Sequence, residues 1–269
     1  MFSKRGVGFF SAPPPNHLEV YLDYYTMNKS VALVDFDGVI LKNQNAKQYI
    51  NKKIKQFVHR KLNTTSKAVV DEFAKHVYCS HGHTQHGLSK HGFITTLPEF
   101  NYFVYDSYDA RSEYAKISLT EKEKKDWESF IDICKNQNID VKLFSNAPIN
   151  WLSNFIEYEE EIFDLSEYLE RYRHSEDNSK YMLKPTRHIE KVTSSFLSNQ
   201  YYQHYYLIDD SLRNLAMISK KHKYTSIWYN DNIGETKRVS QNLFILDNLK
   251  HFNTIIKTSM TQDTSTINF

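Results

Sequence analysis

The sequence predicts an α/β fold: a Rossmann-like, doubly wound parallel sheet with an inserted helical cap. Short, nearly continuous apolar segments that end in polar residues are typical of parallel strands buried on both faces. Such segments lie at 31–37, 141–146, 205–210, 225–230 and 242–247. Helical patterns at 120–137 and 211–223 adjoin them. Alternation of strand and helix along a chain is the signature of a doubly wound sheet.

Two patterns among neighbouring residues predict the helix at 120–137. Thr120 and Glu123 have the spacing of a capping box, which predicts the first turn of the helix. Apolar residues then recur at helical spacing on one face: Trp127, Phe130, Ile131 and Cys134. We therefore expect this helix to pack on the sheet and to lead into the strand at 141–146.

Length and composition limit the class of protein. The chain has 269 residues, of which 40% are hydrophobic and 25% charged, and its formal net charge is +2. A charge this small does not by itself argue for nucleic-acid binding, and no apolar run approaches the ~20 residues of a membrane span. The two cysteines exclude a disulfide scaffold and favour a reducing compartment. We expect a cytoplasmic protein, with organelle targeting by the acid-poor start of the chain as the alternative.

The spacing of the predicted strands sets the domain boundaries. The interval between the first two strands is too long for a simple crossover, and its patterns are mostly helical. We therefore expect a separate helical cap, placed over the ends of the strands. The expected organisation is a leader at 1–30, a catalytic core at 31–40 and 118–250, a cap at 41–117 and a tail at 251–269.

Polar side chains end three of the predicted strands, and the carboxyl ends of parallel strands meet at one edge of a sheet. The residues in question are Asp35, Asp37, Ser145, Asn146, Asp209 and Asp210, and Lys184 precedes a proline elsewhere in the chain. Clustered carboxylates repel one another and need a cation, and their hard oxygen ligands suit Mg²⁺. Lysine, serine and backbone amides can hold phosphate oxygens. One aspartate could attack phosphorus while the other exchanges protons with the leaving group and with water.

Four short motifs resemble, in order, those of the haloacid dehalogenase (HAD) superfamily of phosphotransferases. They are DFDGVI at 35–40, LFSN at 143–146, LKP at 183–185 and LIDD at 207–210. By this resemblance Asp35 is the nucleophile and Asp37 the general acid/base. The resemblance also implies that Ser145, Asn146 and Lys184 bind phosphate, and that Mg²⁺ is held by Asp35, the Asp37 carbonyl, and Asp209 with or without Asp210. Val39 stands where many members have threonine.

The stretch YCSHGHTQHGLSKHG at 78–92 resembles the cap of the pyrimidine 5′-nucleotidase-like branch. Its residues Gly82, His83, Thr84, Gly87, Leu88 and His91 match that branch, whereas Tyr78 is displaced by three inserted residues. The resemblance implies a small phosphorylated substrate, such as a nucleoside 5′-monophosphate, contacted by His83 and Thr84. The alternatives are a sugar-phosphate phosphatase or phosphomutase, or a catalytically idle relative that binds nucleotide, RNA or a protein.

Two further features have competing interpretations. Cys79 and the histidines between 81 and 91 could bind zinc, but their spacing does not match common zinc pairs. The lysine-rich stretch 47–61 could contact RNA, but the outer face of a cap helix is the preferred interpretation. A substrate-facing cap loop and a solvated polar helix are the other interpretations of the histidine-rich stretch, so its role as a metal site or a substrate site stays open. Among the partners we expect no nucleic acid and no membrane.

Overall fold

The computed structural model of this chain describes residues 29–106, 119–152, 183–184, 202–216, 218 and 223–260. Six strands form one sheet: β1 (Ser30–Val34), β2 (Ile139–Leu143), β3 (His204–Asp209), β4 (Tyr224–Tyr229), β5 (Lys237–Ser240) and β6 (Leu243–Leu246). Their order across the sheet is β2-β1-β3-β4-β6-β5. All neighbours are parallel except β5 and β6. The predicted α/β sheet is therefore confirmed.

The register of the central strands brings their carboxyl ends to one level. Val34 at the end of β1 is paired with Leu143 of β2 on one side and with Ile208 of β3 on the other. The ladder continues one step further, because the Asp35 N–H donates to the Ile208 carbonyl at 2.9 Å and the Phe144 N–H donates to the Val34 carbonyl at 2.7 Å. The polar residues that follow these strands consequently face the same edge of the sheet.

The edge strand β5 is absent from the sequence-based prediction. It runs antiparallel to β6, and its register is irregular between Arg238 and Ser240. Its four residues are KRVS, of which three are exposed. A short, polar edge strand carries no apolar run, so hydrophobic patterning could not reveal it.

The segment between β1 and β2 contains the predicted helical insertion. Its helices are α1 (Gln44–Leu62), α2 (Lys67–His81), α3 (Thr84–Lys90) and α4 (Leu97–Asn101), followed by a π-helix at Tyr102–Asp106. Side chains cap the first two: the Asn43 carboxamide oxygen accepts from the Asn45 N–H, and the Ser66 hydroxyl accepts from the Val69 N–H. Across the described ranges, no helix combines the length and the apolar character needed to cross a bilayer.

The predicted capping box at the start of α5 (Glu121–Asn136) is confirmed. The Glu123 N–H donates to the Thr120 hydroxyl at 3.2 Å, and the Thr120 N–H donates to the Glu123 carboxylate at 2.7 Å. The predicted apolar face, formed by Trp127, Phe130, Ile131 and Cys134, is buried. This helix therefore packs as its sequence pattern indicates.

The core extends into the segment 251–269, which the sequence predicts to be a tail. A short helix α6 (Leu212–Ala216) follows β3, and a helix α7 covers Phe252–Met260. Phe252, Ile255 and Ile256 of α7 are each no more than 1% exposed. The Phe252 ring packs against Phe130 at 5.1 Å between centroids. Apolar residues at positions i, i+3 and i+4 form one face of a helix, so residues 252–260 pack as part of the core. Residues 261–269, and residues 1–28 of the expected leader at 1–30, lie outside the described residues.

Candidate active site

The candidate site is a cavity of about 930 Å³ at the carboxyl ends of β1, β2 and β3. Asp35, Asp37, Ser145, Asn146 and Asp210 line it from the core. The helical insertion lines the opposite wall, with residues from α1, α2, α3 and α4 that include His83 and Thr84. The topology thus brings together the polar strand ends as the sequence predicts, and it places the two predicted cap residues on the same cavity.

Lys184 lies between two buried carboxylates. Its side-chain nitrogen is 2.6 Å from an oxygen of Asp209 and 3.0 Å from an oxygen of Asp35. Burial alone lowers the pKa of Lys184, but the charges of Asp209 and Asp35 more than offset this, and the pKa of Lys184 is raised above its usual value. Lys184 therefore remains protonated and is a fixed, buried positive charge beside Asp35.

Asp209 is held by the protein on both of its carboxylate oxygens. One oxygen accepts from the Ser211 N–H at 2.8 Å and from the Asn214 side chain at 3.0 Å, and the other accepts from Asn214 at 3.0 Å as well as from Lys184. Asn214 is a site residue absent from the sequence-based prediction. Its position five residues after Asp209, on α6, matches no catalytic or metal-binding motif, so a pattern in the sequence could not identify it.

Asn146 is expected to bind phosphate, but its side chain hydrogen-bonds to the backbone of Lys184. The carboxamide nitrogen donates to the Lys184 carbonyl at 2.9 Å, and the Lys184 N–H donates to the carboxamide oxygen at 2.8 Å. This two-point contact fixes the backbone of Lys184 relative to the end of β2. The side chain of Asn146 is therefore a positioning group for Lys184. Ser145 lines the cavity beside it, and its hydroxyl accepts from the Ala147 N–H at 3.2 Å.

Asp37 accepts a hydrogen bond from Trp151, a residue absent from the sequence-based prediction. The Trp151 indole N–H donates to a carboxylate oxygen of Asp37 at 3.2 Å. Burial raises the pKa of Asp37 to about 6, against the hydrogen bond from Trp151, which favours the ionised form. Trp151 is 2% exposed and its ring lies 5.7 Å from that of Tyr105. The indole is thus held by packing and orients the second aspartate.

Gly38 makes room for the Asp210 carboxylate. Its φ is +90°, and a β-carbon placed on it would lie 2.2 Å from an oxygen of Asp210. Asp210 lines the cavity and is exposed, and its partial burial, together with the charge of Asp209, raises its pKa to about 6. Glycine at 38 is therefore required both by the backbone conformation and by the close approach of the carboxylate.

Three carboxylates fit a divalent cation. Asp35, Asp209 and Asp210 each offer an oxygen, and these oxygens lie within 4.8 Å of one another. Hard oxygen donors of this kind suit Mg²⁺. Burial raises the pKa of Asp35 well above its usual value, Lys184 opposes this, and the charges of Asp209 and Asp210 add to it. A cation at these oxygens would favour the ionised form of Asp35.

The histidine-rich stretch divides into two groups. His76, His81, His86 and His91 contact one another edge to face, with ring centroids 5.4 to 6.0 Å apart. His83 packs instead on Phe100, at 5.2 Å between ring centroids. Within the described part of the chain, the acidic group above is the one set of three or more potential metal ligands whose atoms lie within 4.8 Å of one another. The histidine contacts therefore lend no support to a zinc site.

Among known proteins, this chain is similar to solved structures. No family model matches the sequence, and no curated protein matches it. Among solved structures, an HAD phosphatase from Thermococcus onnurineus has 14% identity and a TM-score of 0.48, over 84% of this chain and 97% of that one. A β-phosphoglucomutase from Clostridium difficile has 15% identity and a TM-score of 0.46, over 87% and 99%. A 2-haloacid dehalogenase from Pseudomonas syringae has 11% identity and a TM-score of 0.41, over 86% and 99%.

At these identities and scores the similarities carry no inference about activity. The three proteins act by different reactions, as their names state. A fold of this kind hosts many activities, and function has to be argued from the site.

Proposed function

We propose that this protein is a Mg²⁺-dependent phosphatase of the HAD type that hydrolyses a small phosphate monoester through a phosphorylated Asp35. The observation that carries the proposal is the arrangement of Lys184 between Asp35 and Asp209, with Asp37 facing the same cavity. A nucleophile, a proton donor, a fixed cation and a carboxylate group for Mg²⁺ are the components that this reaction needs.

Asp35 and Asp37 divide the chemistry between them. A carboxylate oxygen of Asp35 forms a bond to phosphorus while the bond from phosphorus to the alcohol oxygen breaks, and Asp37 gives its proton to that oxygen. In the second half, the oxygen of a water molecule forms a bond to phosphorus while the bond from phosphorus to Asp35 breaks, which releases inorganic phosphate, and Asp37 takes the proton that the water loses. A pKa of about 6 suits Asp37 to both directions of proton transfer near neutral pH.

Lys184 and Mg²⁺ would offset the negative charge of the phosphate. When bound at Asp35, Asp209 and Asp210, Mg²⁺ would supply electrostatic stabilisation of the phosphoryl oxygens. Lys184 is held in place by two carboxylates and by the Asn146 carboxamide, so it requires little rearrangement to meet a phosphate oxygen. Preorganised charge of this kind is more effective than a mobile surface lysine.

We propose a nucleoside 5′-monophosphate as the substrate within this class. The cavity volume of about 930 Å³ is of the size that ligands of this class occupy. Its insertion-side wall includes Tyr78, which is 49% exposed and can pack on a planar base. A sugar phosphate would also satisfy the phosphate-binding groups.

A substrate panel tests the proposal. Purified protein is assayed for phosphate release from an aryl phosphate, nucleoside 5′-monophosphates and sugar phosphates, with Mg²⁺ or with EDTA. We expect Mg²⁺-dependent turnover that Asp35→Asn reduces on the order of 10³-fold or more. The matched control is Asp132→Asn, an exposed carboxylate on α5, which we expect to retain wild-type activity. Full activity of Asp35→Asn would refute the mechanism, and no turnover on any substrate would favour an idle binding protein.

A further inference from the structure

We infer that the nucleotide substrate carries, besides the 5′-phosphate that is hydrolysed, a second phosphate group, bound by a polar stripe on helix α1 that leads away from Asp35. The stripe consists of Lys47, Asn51, Lys55 and His59. The inference rests on the proposed function for the identity of the first phosphate. It adds a binding subsite and a substrate class: phosphate monoesters that bear a further phosphate or phosphodiester.

The four residues of the stripe follow one another at intervals of four, so they lie on one side of α1. Lys47, Asn51 and Lys55 line the cavity that contains Asp35. Asn51, Lys55 and His59 line an adjoining cavity of about 780 Å³ between α1 and α2. The two cavities share residues, and the stripe runs along both. With a rise of 1.5 Å per residue it spans ~18 Å, which exceeds the reach of a single phosphate.

Helix α1 has an unusual charge distribution. Its 19 residues, QNAKQYINKKIKQFVHRKL, include no aspartate or glutamate. They include six lysines and arginines, at 47, 52, 53, 55, 60 and 61. Exposed helices ordinarily mix both signs, which gives i to i+4 ion pairs. A helix of one sign that borders a cavity favours an anionic occupant.

Three other basic residues of α1 have contacts within the insertion, which distinguishes them from Lys47. Lys61 donates to Glu99 and to the Ile94 carbonyl. Lys53 lies over the rings of Tyr49 and Phe103, and Arg60 also lies over Phe103. Among the described residues Lys47 forms no ion pair, and its charge acts on Asp210, whose pKa it lowers. Lys47 thus faces the catalytic carboxylates from the insertion side.

A carboxylate also borders the stripe. Asp71 of α2 lies 2.8 Å from the Lys55 nitrogen and lines both cavities. Lys75, one turn further along α2, lines the cavity that contains Asp35. A second phosphate would therefore bind between Lys47, Lys55 and Lys75, and it would compete with Asp71 for Lys55.

The experiment compares substrates that differ in the second phosphate. Phosphate release is measured from p-nitrophenyl phosphate, a nucleoside 3′,5′-bisphosphate and a short oligonucleotide with a terminal phosphate. We expect the double variant Lys47→Gln/Lys55→Gln to lose about tenfold or more in kcat/KM on the substrates with a second phosphate and less than about threefold on the aryl phosphate. Lys53→Gln, on the same helix but outside both cavities, is the matched control and should match wild type.

Substitution of Asp71 tests the same inference in the opposite direction. Asp71→Asn removes the competing carboxylate, so we expect kcat/KM to rise for substrates with a second phosphate and to stay unchanged for the aryl phosphate. A loss confined to the bisphosphate indicates a mononucleotide, and a loss confined to the oligonucleotide indicates a nucleic-acid end. Equal losses on all substrates, or none, would overturn the inference, because the lysines would then serve the first phosphate or solvent alone.

Binding separates this inference from the proposed function. The affinity of the Asp35→Asn protein for the bisphosphate is measured by calorimetry, with and without the two lysine substitutions. If wild type hydrolyses nothing, the proposed function fails, yet a tenfold loss of affinity on substitution would still support the phosphate subsite. If wild type is active but the affinity is unchanged by substitution, the subsite is wrong and the phosphatase stands.

Discussion

The side-chain nitrogen of Lys184 lies 2.6 Å from a carboxylate oxygen of Asp209, and both side chains are at most 4% exposed. A buried pair of this kind is costly to break, because removal of one partner leaves an uncompensated charge in a poorly solvated place. The same lysine contacts Asp35. Stability and the proposed catalysis therefore depend on the same contact.

Lys184→Met should destabilise the protein strongly. We expect its free energy of unfolding to fall by about 3 kcal/mol at pH 7, as for other buried pairs that lose one partner. The control is Lys29→Met, since Lys29 pairs with Asp140 at 2.8 Å with side chains 39% and 23% exposed. That variant should lose less than about 1 kcal/mol. Urea denaturation measures both, and similar small losses would contradict the assignment of a buried pair.

Gly38→Ala should weaken metal binding as well as stability. A β-carbon at 38 would lie 2.2 Å from an oxygen of Asp210, so the carboxylate must move. We expect the Mg²⁺ concentration for half-maximal activity to rise severalfold. Gly92→Ala is the control, because Gly92 has a similar φ of +84° but no atom within 4 Å of the added carbon. It should cost about 1 kcal/mol from backbone strain alone. An unchanged Mg²⁺ requirement in Gly38→Ala would argue against Asp210 as a ligand.

Trp151→Phe should shift the pH dependence of activity. The indole N–H stabilises the ionised form of Asp37, so its removal raises the pKa of Asp37 further above about 6. The limb of the profile of kcat/KM that reports Asp37 should then move to higher pH. Trp228→Phe loses an indole bond to the Asp210 carbonyl instead and should leave that limb in place. A lower rate with an unshifted profile would mean that Trp151 acts only through packing.

Local patterns in the sequence account for most of the fold. Apolar runs predicted five of the six strands, and the capping box predicted the start of α5. The missed elements had weak local signals: β5 is short and polar, and the apolar face of α7 was assigned to a tail. Burial of Phe252 depends on Phe130 and Tyr206, which lie far from it in the chain. Such partners are set by tertiary packing.

The sequence by itself determined which carboxylates stand at the ends of β1 and β3, because strand ends follow from hydrophobic patterning and parallel strands present those ends at one edge. Only the tertiary structure decided the supporting contacts. Trp151 donates a hydrogen bond to Asp37, which lies 114 residues earlier in the sequence. The Asn146 side chain hydrogen-bonds to the backbone of Lys184, and Lys47 of α1 lines the same cavity as Asp210. The physical reason is that hydrogen bonds and charge interactions act over a few ångströms in space, whereas the patterns that a sequence displays concern neighbours along the chain.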